Sequence, residues 1–262
     1  MQHVMTNQRL SQAPTCRINH IAIDQPWAWL AAGWKDIRQA PGHSLTYGSS
    51  IVLISVAMTW FMVSGELTFL VPFLAAGFFL VAPVLAIGLY QMSACLERGE
   101  DLQAGRIWQA VSRNQGQLGI VTSFLFVLMQ AWLMVSMLLI LSLYDGLSPS
   151  LSNIIPLVLL SGDHLLLLAS IVLVGALFAA CAFCLSAVSI PLLIDRRVDA
   201  VTAMRTSVAA VLANPGPMLL WAAMIVALVG VGLLTFYIGL FIAVPLVGHA
   251  TWHAYRDLLP RD

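Results

Sequence analysis

Charge is what this chain has least of: only 9% of its 262 residues are Asp, Glu, Lys or Arg. Ordinary soluble domains carry about 25%, so 9% charged against 60% hydrophobic excludes a soluble globular protein. Net charge is zero, and no strong long-range field points to nucleic acid or to an acidic substrate. Cysteine is scarce as well. Cys16 and Cys95 fall in polar-side segments while Cys181 and Cys184 fall inside an apolar stretch, which argues against a disulfide framework. No Gly-rich phosphate loop, His-Glu-x-x-His zinc helix or Gly-x-Ser-x-Gly elbow is present. Residues 1–25 hold no long apolar run, so no cleaved signal peptide is expected.

The sharpest absence lies inside the apolar stretches themselves. Six of them, about 44–64, 67–90, 118–143, 165–190, 217–234 and 236–252, contain no Asp, Glu, Lys or Arg. Proton relays, ion-coupled carriers and voltage sensors need ionisable side chains at membrane depth. A proton- or sodium-coupled carrier is therefore not expected.

What the chain does have is a one-sided set of bases. Arg9, Arg17, Lys35 and Arg38 precede the first pair of stretches; Arg98, Arg106 and Arg113 follow it. Arg196, Arg197 and Arg205 follow the second pair, and Arg256 and Arg261 the third. Cytoplasmic loops are enriched in Lys and Arg, so six spans with both termini in the cytoplasm segregate all twelve. Only Glu66, Asp145 and Asp163 fall on the outer side. The last apolar block, 217–250, would be about 50 Å long as one helix, against a hydrocarbon core of about 30 Å. Gly230, Gly232 and Gly239 mark where it divides, near Leu234 to Tyr237. A five-span reading would put Arg256 and Arg261 outside.

The expected fold is all-α: a polytopic bundle of six transmembrane helices over residues 26–258, after a disordered segment 1–25 and before a short tail 259–262. Three amphipathic interfacial helices are expected on the cytoplasmic side, at Pro26–Ala40, at RIWQAVSRNQ and at DAVTAMRTSVAAVLA. Each is followed by a glycine stop (Gly42, Gly116, Gly216), a span pair and an inner-end proline (Pro83, Pro191, Pro245), which suggests a threefold hairpin repeat. Trp27, Trp29, Trp34, Tyr90, Trp108, Trp252 and Tyr255 mark the inner interface, and Trp60, Tyr144 and Tyr237 the outer one.

Few residues are candidates for chemistry. Gln130, the most polar residue at mid-span, is expected to hydrogen-bond a neighbouring helix. Cys181 and Cys184 share a helix face, small residues including Gly175 and Ala179 surround the pair, and packing is the expected role of all four. His249 and His253 lie four apart on one face; they are weak metal or haem candidates, and interfacial anchoring is the expected role. The acids Glu97, Glu100, Asp101, Asp195 and Asp199 flank arginines and read as solvated ion pairs. Contacts to lipid headgroups or a partner protein fall to Trp34, Lys35, Arg38, Arg106, Arg113, Arg196, Arg197 and Arg205.

Two stretches, GWKDIRQAPGHSLTYG (33–48) and PVLAIGLYQMSACLERGE (83–100), resemble the bacterial inner-membrane family known as domain of unknown function 2189. The resemblance implies a six-span protein of the bacterial inner membrane and no established activity. The leading expectation is a non-enzymatic membrane protein, without cofactor, whose cytoplasmic belt binds headgroups or a protein partner. A passive or weakly coupled transporter of a small uncharged or lipid-like solute is the alternative. A haem- or metal-binding redox protein is the third reading.

Overall fold

The computed structural model describes residues 17–102, 105, 109, 112–143 and 164–260. Arg9, Arg106, Arg261, Trp108 and the outer connection 144–163 lie outside the described residues, as does most of the second interfacial helix. Ten α-helices are described: α1 (Gln25–Gln39), α2 (Pro41–Ser64), α3 (Val71–Leu85), α4 (Ile87–Arg98), α5 (Gln115–Leu143), α6 (Leu165–Ser186), α7 (Ser189–Asp195), α8 (Ala200–Ala213), α9 (Pro215–Leu234) and α10 (Leu240–Leu258). No strand occurs among the described residues.

The helices pass along the bundle as three hairpins, α2 with α3–α4, α5 with α6–α7, and α9 with α10. The returning legs finish together, because Arg98 at the end of α4 and Arg256 near the end of α10 both meet Asp195 at the end of α7. Among the described residues, five helical stretches are long and apolar enough to cross a membrane: Pro41–Ser64, Val71–Arg98, Gln115–Leu143, Leu165–Asp195 and Pro215–Leu234. The sixth leg, α10, differs. It is less apolar, and twelve of its 19 residues are buried, because α1, α2, α4 and α9 pack around it. What looks from the sequence like a sixth lipid-facing span has mostly protein for surroundings.

Two of the expected glycine stops are proline elbows instead. α1 turns into α2 at Ala40 (φ −133°, ψ 58°) and α8 into α9 at Asn214 (φ −132°, ψ 55°), with proline as the first residue of the next helix in both cases. Proline suits that position because its missing N–H has no intrahelical partner there. Gly42 and Gly216 sit one residue inside the new helix rather than ending the old one. At the second elbow α5 starts at Gln115, directly after Asn114, and Gly116 again sits one residue inside the new helix.

Two of the returning legs break toward the end of the bundle where the bases gather, and hydroxyls from neighbouring helices seal both breaks. Beyond Pro83, Leu89 N–H shifts its bond to Ala86 O (2.9 Å). The freed Leu85 carbonyl accepts the Tyr47 hydroxyl at 2.6 Å. At the α6–α7 break, Ser207 of α8 accepts from Val188 N (3.1 Å) and donates to Cys184 O (2.7 Å). Buried backbone groups need such partners.

The segment before α1 is ordered from at least Asn19, against the expectation of disorder through residue 25. Asn214 accepts from Ile21 N and donates to Asn19 O, both at 3.0 Å, while Asn19 N donates to Leu258 O at 2.9 Å. At α8, Asp199 is the N-cap and accepts from Thr202 N at 2.9 Å. Hydrogen bonding with Thr202, side chain and then backbone, holds the Asp199 carboxyl below the usual carboxylate range. A depressed folded value means the cap stabilises fully above the ordinary carboxylate pKa and fades as pH falls through the folded value. Asp199→Ala is therefore expected to cost about 1 kcal/mol at neutral pH, read as faster amide exchange over 200–204. In acid the variant and the parent should converge.

Candidate functional site

A polar knot joins four helices at the end of the bundle where the bases gather. α10 contributes His249 and His253, one turn apart; α1 contributes Asp36, α2 Ser44, and α4 Ser93. Asp36, Ser44, Ser93 and His249 are all buried. Ser93 Oγ donates to Asp36 Oδ2 at 2.6 Å and lies 2.7 Å from His249 Nδ1. Ser44 Oγ lies 2.9 Å from His249 Nε2. His253 Nε2 reaches the same Asp36 oxygen at 2.9 Å.

The hydroxyl count fixes the direction of this chain. Ser93 has one proton, which goes to Asp36, so His249 donates Nδ1–H to Ser93 and accepts the Ser44 proton at Nε2. The tautomer follows from the network. The order Ser44, His249, Ser93, Asp36 resembles a relay that could activate a hydroxyl. Ser44 is fully buried, however, and neither described cleft is lined by it. The same atoms do form a closed lock between helices: every hydroxyl proton has an acceptor and the carboxyl oxygen collects two donors. Fully satisfied buried networks rigidify a core.

Around the knot, the last turns of α10 make a second tier. Glu97 accepts from Trp252 Nε1 (3.0 Å) and Arg256 Nε (3.1 Å). Asp195 accepts from Tyr255 Oη (2.8 Å) and Arg98 Nη2 (3.3 Å). Asp257 accepts from Trp29 Nε1 (2.7 Å) and Gln25 Nε2 (2.8 Å). Asp195 and Glu97 thus tie separate helices together rather than forming solvated local pairs.

Several expected roles change. His249 and His253 are nodes of the knot, not interfacial anchors, and the described residues contain no group of three side chains suited to a metal ion. Trp29, Tyr90, Trp252 and Tyr255, expected at the interface, are buried, in the part of the bundle where α1 and α4 pack on α10. On α1 the two faces separate cleanly. Trp29, Gly33, Asp36 and Ile37 point inward, while Trp27, Trp34, Lys35 and Arg38 point outward. Arg196 is half-buried and donates to Leu259 O and Pro260 O, so it is a strap rather than a free headgroup contact. Arg113, Arg197 and Arg205 are exposed. Gly175 packs on the Trp132 ring and Ala179 is half-buried, but Cys181 faces outward and Cys184 is only half-buried. Gln130 also faces outward and has no hydrogen-bond partner among the described residues.

Ser44 and Ser93 were missed because a serine in an apolar run carries little signal alone. Their nearest legible clue is position: Asp36 and Ser44 lie in the first resembling stretch and Ser93 in the second. The fold brings these two stretches together on α10. Away from the knot, a cleft of about 370 Å³ lies among Phe73, Leu80, Trp132, Ile140 and Gly175, and another of about 260 Å³ among Ile51, Thr59, Phe78, Met129 and Tyr237. No charged residue lines either.

Comparison with curated proteins and with solved structures gives no match. Residues 70–195, which include the second of the two stretches, match the model of the family described as Predicted integral membrane protein (DUF2189), the family that the sequence resembles.

Proposed function

We propose that this chain is a non-enzymatic membrane protein that grips anionic lipid headgroups through α1, with its basic end on the cytoplasmic side of a bacterial inner membrane. In this reading α10 is the sixth crossing. The observation that carries it is the outward face of α1. Trp27 is 63% exposed and Trp34 39%, and Lys35 and Arg38 share that face, with the Arg38 guanidinium 5.5 Å from the Trp34 ring centre. The acid of α1, Asp36, is turned inward and used. A helix with indole rings and cations on one face and no exposed acid in its body fits the headgroup layer of an anionic membrane. The knot keeps that face from rotating.

Each base near an anionic surface contributes about 1 kcal/mol. Lys35→Ala with Arg38→Ala is therefore expected to weaken phosphatidylglycerol binding about 30-fold at low salt, measured by native mass spectrometry or lipid exchange on the purified protein. Phosphatidylcholine binding should not move. Equal retention of both lipids by the parent protein would sink the reading.

A further inference from the structure

Gln130 stands near the midpoint of α5, whose inner face packs through Leu118, Val121, Leu125, Trp132, Ser136 and Ile140. The opposite face carries Ser123, Val127, Gln130, Met134, Leu138 and Leu141, all exposed, at successive spacings of 4, 3, 4, 4 and 3. That is the spacing of a helix seam that meets another helix along its length. Toward the belt the seam continues through Gly116 and Gly119, where an added Cβ would meet nothing within 4 Å. Small residues there let a second helix approach closely.

The amide decides what covers the seam. Gln130 brings two donors and an acceptor to the middle of a span and has no partner among the described residues. Acyl chains offer no hydrogen bond, and a glutamine side chain is too short to reach either surface from mid-span, about 15 Å away. Its partner must be another polar group at the same depth. A second copy inserted in the same direction supplies one automatically. The carboxamide is also its own complement: across a two-fold axis, the NH₂ edge of one faces the C=O edge of the other.

We propose that the exposed face of α5 pairs two copies of this chain side by side, Gln130 to Gln130. Full-length protein reconstituted at high lipid-to-protein ratio should be a dimer by single-molecule photobleaching. Gln130→Leu keeps the face apolar and the protomer intact, and is expected to weaken dimerisation about 3- to 30-fold. In a Cys181→Ala background, Gln130→Cys should cross-link on mild oxidation, whereas Leu173→Cys on the exposed face of α6 should not. A monomer at every concentration overturns the proposal. So does undiminished pairing of Gln130→Leu, cross-linking through α6 instead, or a purified monomer whose Gln130→Cys variant cross-links only to a different protein in native membranes.

Discussion

Replacing Asp36 with alanine is expected to cost about 3 kcal/mol or more, because it removes two hydrogen bonds to a charged group, each contributing about 1.5–3 kcal/mol. The carboxyl oxygen takes bonds from Ser93 and His253 and is the only acid in the knot. Without it Ser93 loses its acceptor inside the protein, and each stranded buried group carries a desolvation penalty. The order of protons along Ser44, His249 and Ser93 is then no longer fixed. α1 has less to hold it against α10, so the loss should show as earlier thermal unfolding in micelles and as faster proteolysis within 25–39. Ser44→Ala removes a single outer link and should cost only about 1–3 kcal/mol. If Asp36→Ala melts with the parent protein, the knot is not what fastens α1.

The parts of this fold that are legible in the sequence are those set by the membrane. Runs free of charge, one-sided bases and the glycine-marked turn after Leu234 all follow from the cost of burying charge and from helix length. The elbows were legible in place but not in kind: the glycines Gly42 and Gly216 looked like the stops, whereas Pro41 and Pro215 start the next helices. The knot was not legible, because its bonds span 57, 156, 205 and 217 residues and so depend on packing rather than on local pattern. Asp36 between Lys35 and Ile37 looks like part of a wet face. It turns inward because Gly33, one turn earlier, lets α1 sit directly on the backbone of α10: a Cβ at Gly33 would lie 2.7 Å from Ala250 N and 2.9 Å from Leu246 O. Trp27 and Trp34, expected at the interface, are indeed exposed; Trp29 between them is not, because it lies on the side of α1 that holds Gly33 and Asp36.

The same closeness makes Gly48 the most sensitive glycine on α2. Pro245 lies inside α10 and has no N–H to give the carbonyl of Phe241 four residues earlier. That oxygen, without its usual helical donor, faces Gly48, and the glycine hydrogen that a Cβ would replace points at it. A proline in one helix and a glycine in the other thus let α2 and α10 touch backbone to backbone, one turn from Ser44 and the knot. An added methyl would collide with the Phe241 carbonyl and press on the Pro245 ring, and neither can swing away as a flexible side chain could. Gly48→Ala is therefore expected at the upper end of the roughly 1–3 kcal/mol that overpacking costs, or beyond it, despite alanine's better helix propensity. Gly42→Ala is the control on the same helix. A Cβ there meets nothing within 4 Å, so it should be neutral or raise stability by up to about 1 kcal/mol. Thermal unfolding of both variants in the same detergent separates packing from propensity: opposite signs support the backbone contact, and equal shifts would remove it.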